Sequence, residues 1–275
     1  MKNYNQAPLS FMGQKRKFAK QVKDILAVYP DDVTIVDLFG GSGLLSHTAK
    51  SVKPKSNVIY NDFDNYLQRI DAIPTTNSLL DKIRNIVGDY PENKKLTKEM
   101  HQAILDVIKK EEQKREFVDY ITLSSSLLFS MKYTASYEEL AKQTFYNTVR
   151  KSDYSADGYL EGVEVVSMDY KDLYTLYKNE PNTLFFVDPP YLSTEVGTYT
   201  MSWTLSDYLD VLTILQGNDY IYFTSNKSNI IELCEWIGKN KKLGNPFKNA
   251  TQVRVNSTMN YNSKYTDIMV YKKKP

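Results

Sequence analysis

Apolar residues in this chain fall into short runs separated by longer amphipathic stretches. Residues 33–38 form a β-branched run that ends in Asp37-Leu38-Phe39-Gly40-Gly41-Ser42-Gly43, and a helical pattern follows over 44–52. Residues 57–60 read as a second strand, closing at Asn61-Asp62-Phe63-Asp64. Strand, glycine turn, helix and strand open a doubly wound parallel sheet. From about residue 65 to 150 the periodicity turns helical, with helices expected over 78–87, 97–114, 117–131 and 137–149. The turn Gly88-Asp89-Tyr90-Pro91 separates the first two. The α/β alternation then resumes, with strands over 163–167, 183–187 and 220–224 and helices over 205–215 and 228–238. Residues 251–256 and 265–271 suggest a terminal antiparallel pair. The pattern predicts an α/β fold: a mostly parallel Rossmann-like sheet from residues 1–65 and 160–275, with a mainly helical lobe, 66–159, inserted.

Composition narrows the chemistry more than the class. The 275 residues contain one cysteine, Cys234, which rules out an intramolecular disulfide and a four-cysteine zinc site. Two histidines, His47 and His101, leave little material for a metal centre, so no metal is expected. No apolar run reaches the roughly 20 residues of a membrane span, and Met1 to Gln6 lack the apolar stretch of a secretory signal. The expectation is an intracellular, cytoplasmic protein with no membrane partner. A net charge of +2 leaves open whether nucleic acid binds. Basic clusters at Lys15-Arg16-Lys17, at Lys239, Lys241 and Lys242, and at Lys272-Lys273-Lys274 fit either a phosphate-binding face or ordinary solvated surface.

The most specific motif is Asp188-Pro189-Pro190-Tyr191, directly after the apolar strand at 183–187. Ligands bind at the carboxyl ends of strands in open α/β sheets, which is where this loop falls. Prolines remove backbone donors and stiffen the loop, so carbonyl oxygens are left to face a ligand. An aromatic amine such as adenine N6 delocalises its lone pair into the ring and is a poor nucleophile. Two acceptors aimed at its hydrogens, the Asp188 carboxylate and the Pro189 carbonyl, would favour a tetrahedral nitrogen. Tyr191 offers a face on which an extruded base can stack. The plain alternative is a rigid loop with a capping aspartate.

The turn from Asp37 to Gly43 suits a close backbone approach to a ligand through Phe39, Gly40, Gly41 and Gly43. Its acid, Asp37, matches the cationic S-adenosylmethionine better than it matches a pyrophosphate. Asp62 stands where a Rossmann-type unit places a carboxylate on ribose hydroxyls, and Asp64 competes for that role. Asp169 either accepts from a cofactor amine or simply caps the helix after it.

Together these motifs resemble the Dam-type family of DNA adenine-N6 methyltransferases. The family's Trp-x-Gly-Gly-Lys element corresponds to Phe11-Met12-Gly13-Gln14-Lys15, in which Gly13 and Lys15 match while Phe11 and Gln14 depart. Its Asn-Asp-x-Asn stretch matches Asn61-Asp62 and ends in Asp64, and its later Ser-Asn matches Ser225-Asn226. The resemblance implies S-adenosylmethionine as cofactor and DNA as substrate, with Phe11, Lys15, Asp62 and Asp188 bordering the cofactor. It also implies a bacterial or phage-type intracellular setting, in which a restriction endonuclease can be the partner. Within the lobe, Asn147 and Arg150 are the candidates for DNA contact. Cytosine N4, RNA or a glutamine amide are alternative acceptors, and a non-catalytic partner subunit is a further alternative.

Overall fold

The computed structural model describes residues 2–129, 132–190, 203–239, 244–260 and 263–273. Strands β1 (Thr34–Asp37), β2 (Val58–Asn61), β3 (Glu164–Val166), β4 (Thr183–Val187), β5 (Asp219–Ser225), β6 (Thr251–Asn260) and β7 (Ser263–Lys272) lie in one sheet. Among the described residues their order is β3-β2-β1-β4-β5-β7-β6. The pairings from β3 to β5 are parallel. Strand β7 then runs antiparallel to both β5 and β6. This is a mostly parallel, doubly wound Rossmann-like sheet with an antiparallel edge.

The period of two along each strand sorts side chains onto the sheet's two faces. Val36, Ile59, Phe185, Val187, Tyr220, Tyr222 and Val270 join one core cluster. It is covered by helices α8 (Tyr170–Tyr177), α9 (Leu205–Leu215) and α10 (Ile230–Lys239). Ile35, Val58, Leu184, Phe186, Ile221, Phe223 and Met269 join the other, beneath α1 (Ala19–Leu26) and α2 (Leu44–Val52). Both faces are buried, which is why β4 reads as an unbroken apolar run rather than an alternating one.

Helices α3 (Tyr66–Asp71), α4 (Ile73–Val87), α5 (Lys98–Glu112), α6 (Tyr120–Ser125) and α7 (Tyr137–Ala141) follow β2. They enclose a third apolar cluster, which also takes in Ala7 and Leu9 from the N-terminal segment. Two helices expected from the sequence are much shorter than their apolar runs. Among its described residues the run at 117–131 yields only α6, which begins where Asp119 accepts from the Thr122 N–H at 3.0 Å; Ser130 and Met131 lie outside the described residues. The run at 137–149 stops at Ala141 because its later backbone groups pair with a neighbouring loop. Leu96 N–H donates to Phe145 O at 2.9 Å and Asn147 N–H to Lys94 O at 2.9 Å.

A buried ion pair ties the helices together. Arg69 of α3 donates through Nε to Asp119 Oδ1 at 3.1 Å, and through Nη2 to Thr122 Oγ1 at 3.0 Å and Ser10 O at 2.7 Å. The Arg69 and Asp119 side chains are both shielded from water. Such a pair is a weak source of net stability, but removing one partner strands a buried charge. Arg69→Met should therefore lower unfolding free energy by about 3–5 kcal/mol, measured by urea denaturation at neutral pH.

Candidate active site

A parallel sheet winds outward from β1 through β2 to β3, then reverses and runs through β4 to β5. The reversal leaves a crevice at the carboxyl ends of β1 and β4, the place where open α/β sheets hold ligands. Here the crevice is a cleft of about 940 Å³, near the upper end for ligand sites. Its walls come from the N-terminal segment, the ends of β1 to β5, the helical lobe and the β6–β7 pair.

Asn61 fixes the strand ends that form the floor. Its Nδ2 donates to Leu38 O at 3.0 Å and Met168 O at 2.9 Å, and its Oδ1 accepts from Met168 N–H at 3.0 Å. One amide thus ties the exits of β1, β2 and β3. A polar residue closing an otherwise apolar strand was the sequence signal for it, and the sequence reading gave it no role beyond the family match.

The glycine turn enters the cleft as backbone. A Cβ at Gly40 would lie 2.2 Å from the Tyr60 ring and 2.8 Å from Asn61 O, so no larger residue fits. The Tyr60 hydroxyl lies 2.7 Å from Gly41 O and 2.9 Å from Asp62 Oδ1, pinning the turn from below. Phe11 covers Gly41 and meets Tyr66 edge-on at 5.7 Å.

Of the residues expected at the cofactor, Phe11, Lys15, Phe39, Gly40, Gly41, Asp169 and Asp188 line the cleft. Three others stand outside that lining, and each has a structural duty. Gly43 takes a left-handed conformation at the entrance to α2, with φ of 72°. Asp37 is buried below the turn, where Ser46 Oγ of α2 donates to its Oδ2 at 2.7 Å. Asp62 accepts from Tyr66 N–H at 2.6 Å and Leu67 N–H at 2.9 Å, so it caps α3 with both oxygens. Of the two acids considered for the ribose, Asp64 lines the cleft and Asp62 is engaged at the start of α3. The surrounding protein and the Asp62 charge raise the pKa of Asp64, against a smaller opposing pull from Arg69. Asp169 caps α8, its Oδ1 accepting from Lys171 N–H at 2.8 Å, and the residue also lines the cleft.

Asp188, Pro189 and Pro190 stand at the tip of β4 and border the same cleft. Tyr191 lies outside the described residues. The Asp188 side chain is 17% exposed and its Oδ2 is 2.5 Å from Lys15 Nζ. Burial raises its pKa, Lys15 lowers it, and Asp267 adds a repulsion that raises it. On the lobe side Tyr133, Arg150 and Tyr154 complete the rim. The Arg150 guanidinium lies 4.4 Å over the Tyr154 ring. Asn147 lies away from the cleft lining, its Nδ2 donating to Tyr90 O at 2.5 Å.

The reading from residues alone missed an aromatic wall. Phe39, Tyr170 and Trp203 all line the cleft; Phe39 packs 4.9 Å from Tyr170, and Tyr170 stacks 5.6 Å from Trp203. Their separation along the chain hides the grouping. Among the described residues no group of three His, Cys, Asp or Glu could hold a metal. None of the described helices is long and apolar enough to cross a membrane.

Comparison with known families supplies the deciding observation. The model for the D12 class of N6 adenine-specific DNA methyltransferases matches residues 11–218, from the N-terminal wall of the cleft past the loop at Asp188. The chain belongs to that family. A Haemophilus influenzae protein, provisionally named a methyltransferase, is 40% identical over 280 residues, covering 98% of this chain and 93% of its own. A precorrin-6y C5,15-methyltransferase structure from Geobacter metallireducens GS-15 aligns over 97% of this chain and 94% of its own. At 9% identity and a TM-score of 0.36, that alignment carries no argument.

Asp37 gives this D12 methyltransferase a pH-dependent stability. Burial pushes the Asp37 carboxyl up to about 7, the Ser46 hydrogen bond pulls it back and the Asp188 charge pushes it further up. The folded state therefore keeps a proton that the unfolded chain gives up near pH 4, so stability should fall as pH rises from about 4 to about 7. Asp37→Asn should remove that decline, so urea midpoints at pH 5 and pH 7.5 should differ less in the variant than in the parent.

Proposed function

We propose that this protein methylates N6 of adenine in DNA, using S-adenosylmethionine as donor and acting on a base turned out of the duplex. The observation that carries the reading is the position of Asp188. Its carboxylate stands at a strand tip on the wall of the same cleft that the glycine turn enters.

The cleft suits the donor chemically. Gly40 and Gly41 admit a ligand against bare backbone, Asp64 is an acceptor for ribose hydroxyls, and Asp169 is an acceptor for a purine amine. Phe39, Tyr170 and Trp203 supply flat apolar surface. When bound, S-adenosylmethionine supplies an electrophilic methyl group on a positively charged sulfur. The protein's own work is then to present the acceptor. The Asp188 carboxylate and Pro189 carbonyl accept the two hydrogens of the adenine amine, which turns the nitrogen lone pair out of conjugation. Methyl transfer would break the donor's S–C bond and leave neutral S-adenosylhomocysteine, and the Asp188 carboxylate would hold the proton that the alkylated nitrogen sheds. Fixed acceptors of this kind act without reorganisation at the moment of reaction. Proline rigidity at 189 and 190 keeps those acceptors fixed.

A paired base cannot reach such a loop, which is why the target must leave the stack. The lobe is the proposed DNA-recognition element, with Arg150 presented to the cleft on the Tyr154 ring. Arginine at such a rim suits a phosphate or a guanine edge.

Duplex DNA incubated with labelled donor and digested to nucleosides should carry its label on N6-methyladenine by mass spectrometry. Asp188→Ala should reduce that yield by about 100-fold or more when assayed at a temperature where circular dichroism shows the variant still folded. Label confined to cytosine or RNA, or full activity in Asp188→Ala, would overturn the reading. The two acids after β2 should separate cleanly. Asp64→Asn should weaken S-adenosylhomocysteine binding about tenfold with little loss of stability, as read by calorimetry. Asp62→Asn should instead cost about 1–3 kcal/mol of stability through the lost cap and hydroxyl partner.

A further inference from the structure

The resemblance places Lys15 beside the cofactor, but the geometry gives its charge another partner. Lys15 is only 8% exposed, its Nζ donates to Gly13 O at 2.7 Å, and the same ammonium meets Asp188 Oδ2 at 2.5 Å. The Phe223 ring lies 5.8 Å away, so the ammonium is held against apolar surface as well. A buried ammonium placed on a carboxylate is expensive to desolvate and is retained only where partners satisfy it.

We infer that Lys15 is a positioning residue for the carboxylate at the target amine: it anchors Oδ2 of Asp188 and keeps the group ionised, so that acceptance of the amine hydrogen falls to Oδ1. The inference rests on the role proposed above for Asp188. A protonated carboxyl presents an O–H donor and loses acceptor capacity, so the charge state decides whether the amine can be held. The charged groups that act on Asp188 come from three elements. Asp267 on β7 and Asp37 at the end of β1 are both acids, and Lys15 on the N-terminal segment is the cation that opposes them. Burial acts in the same direction as the acids.

The segment that carries Lys15 is itself fastened. Leu9 N–H donates to the Tyr66 hydroxyl at 3.0 Å, Ala7 N–H donates to Gln14 Oε1 at 3.0 Å, and Arg69 holds Ser10 O. The ammonium therefore reaches Asp188 from a rigid base rather than from a loose tail, as a positioning role requires.

The test is kcat on duplex DNA across about pH 5.5 to 9.5 for the parent, Lys15→Met, Lys15→Arg and Asp188→Ala, with calorimetry of S-adenosylhomocysteine binding alongside. Lys15→Met should lose tenfold or more in kcat at pH 7, with its acid limb displaced upward by about one unit and activity recovering toward pH 9. Lys15→Arg keeps the charge but re-spaces it, so its acid limb should stay at the parent's pH while kcat falls. Cofactor-product affinity should change by less than about threefold in both variants. A folded Lys15→Met with an unmoved acid limb, or one whose loss lies in cofactor affinity, overturns the inference. Should Lys15→Met fail to fold, Lys15→Arg decides, and either a displaced limb or an unchanged kcat overturns the inference. The two failures are distinguishable. Activity in Asp188→Ala defeats the methylation reading itself, whereas an inactive Asp188→Ala with an unmoved Lys15→Met limb defeats the assignment of Lys15 alone.

Discussion

The order of strands in the sheet is the constraint on which the rest depends. Because the chain leaves β1 in one direction and returns through β4 in the other, no crossover helix can cover the space between their carboxyl ends. Every residue argued to carry chemistry sits at one of those ends or on a segment folded over them. Asn61 makes the constraint rigid by joining Leu38 and Met168 across the exits of three strands. The turn after β1 then has one path available, against the Tyr60 ring, and glycine at position 40 is what that path admits.

Acidic side chains gather at these strand ends, and the fold handles each differently. Asp62 accepts from donors at the start of α3 and Asp169 from the first turn of α8. Asp37 is left deep in the protein with a single hydroxyl on Oδ2, and its ordinary acidity is largely lost. Asp188 meets a cation. A sheet whose strands end in carboxylates is a poor place for an anionic ligand and a good one for a ligand carrying positive charge, because low-dielectric walls amplify each charge. The apolar aromatic wall of Phe39, Tyr170 and Trp203 then suits a ligand that is cationic at one end and flat at the other.

The sheet was legible in the sequence because its signal is local. A run such as residues 183–187 can be little but a buried parallel strand, and the turn after β1 announces itself in three glycines. The lobe was less legible, since short apolar runs do not say whether their backbone bonds will close within a helix or across to another loop. Around Tyr146 the loop at 93–96 took those bonds, and half of an expected helix became an extended pairing. The same limit applied at the site. Spacing favoured Asp62 over Asp64 as the acid nearer the end of β2, and could not show that Asp62 would be engaged in capping α3. Asn147 was spent on Tyr90 for a reason that no neighbouring residue discloses.

The departures at the N-terminal element have a physical reading once the contacts are known. Gln14 stands where the related element has glycine, and its side chain closes the loop on itself through Ala7 N–H at 3.0 Å and Leu9 O at 3.5 Å. Phe11 stands where that element has tryptophan, and its ring still covers Gly41 and packs on Tyr66. Both residues therefore stabilise the segment locally, and Lys15 at its far end reaches Asp188. That segment is held to the lobe by Ser10, through Arg69 and through Ser125 Oγ at 2.9 Å. It is held to the sheet by the ion pair at Asp188. A sequence that alters two of five motif positions while retaining the lysine is consistent with a fold in which the geometry at Asp188, rather than the loop's own composition, is what the element provides.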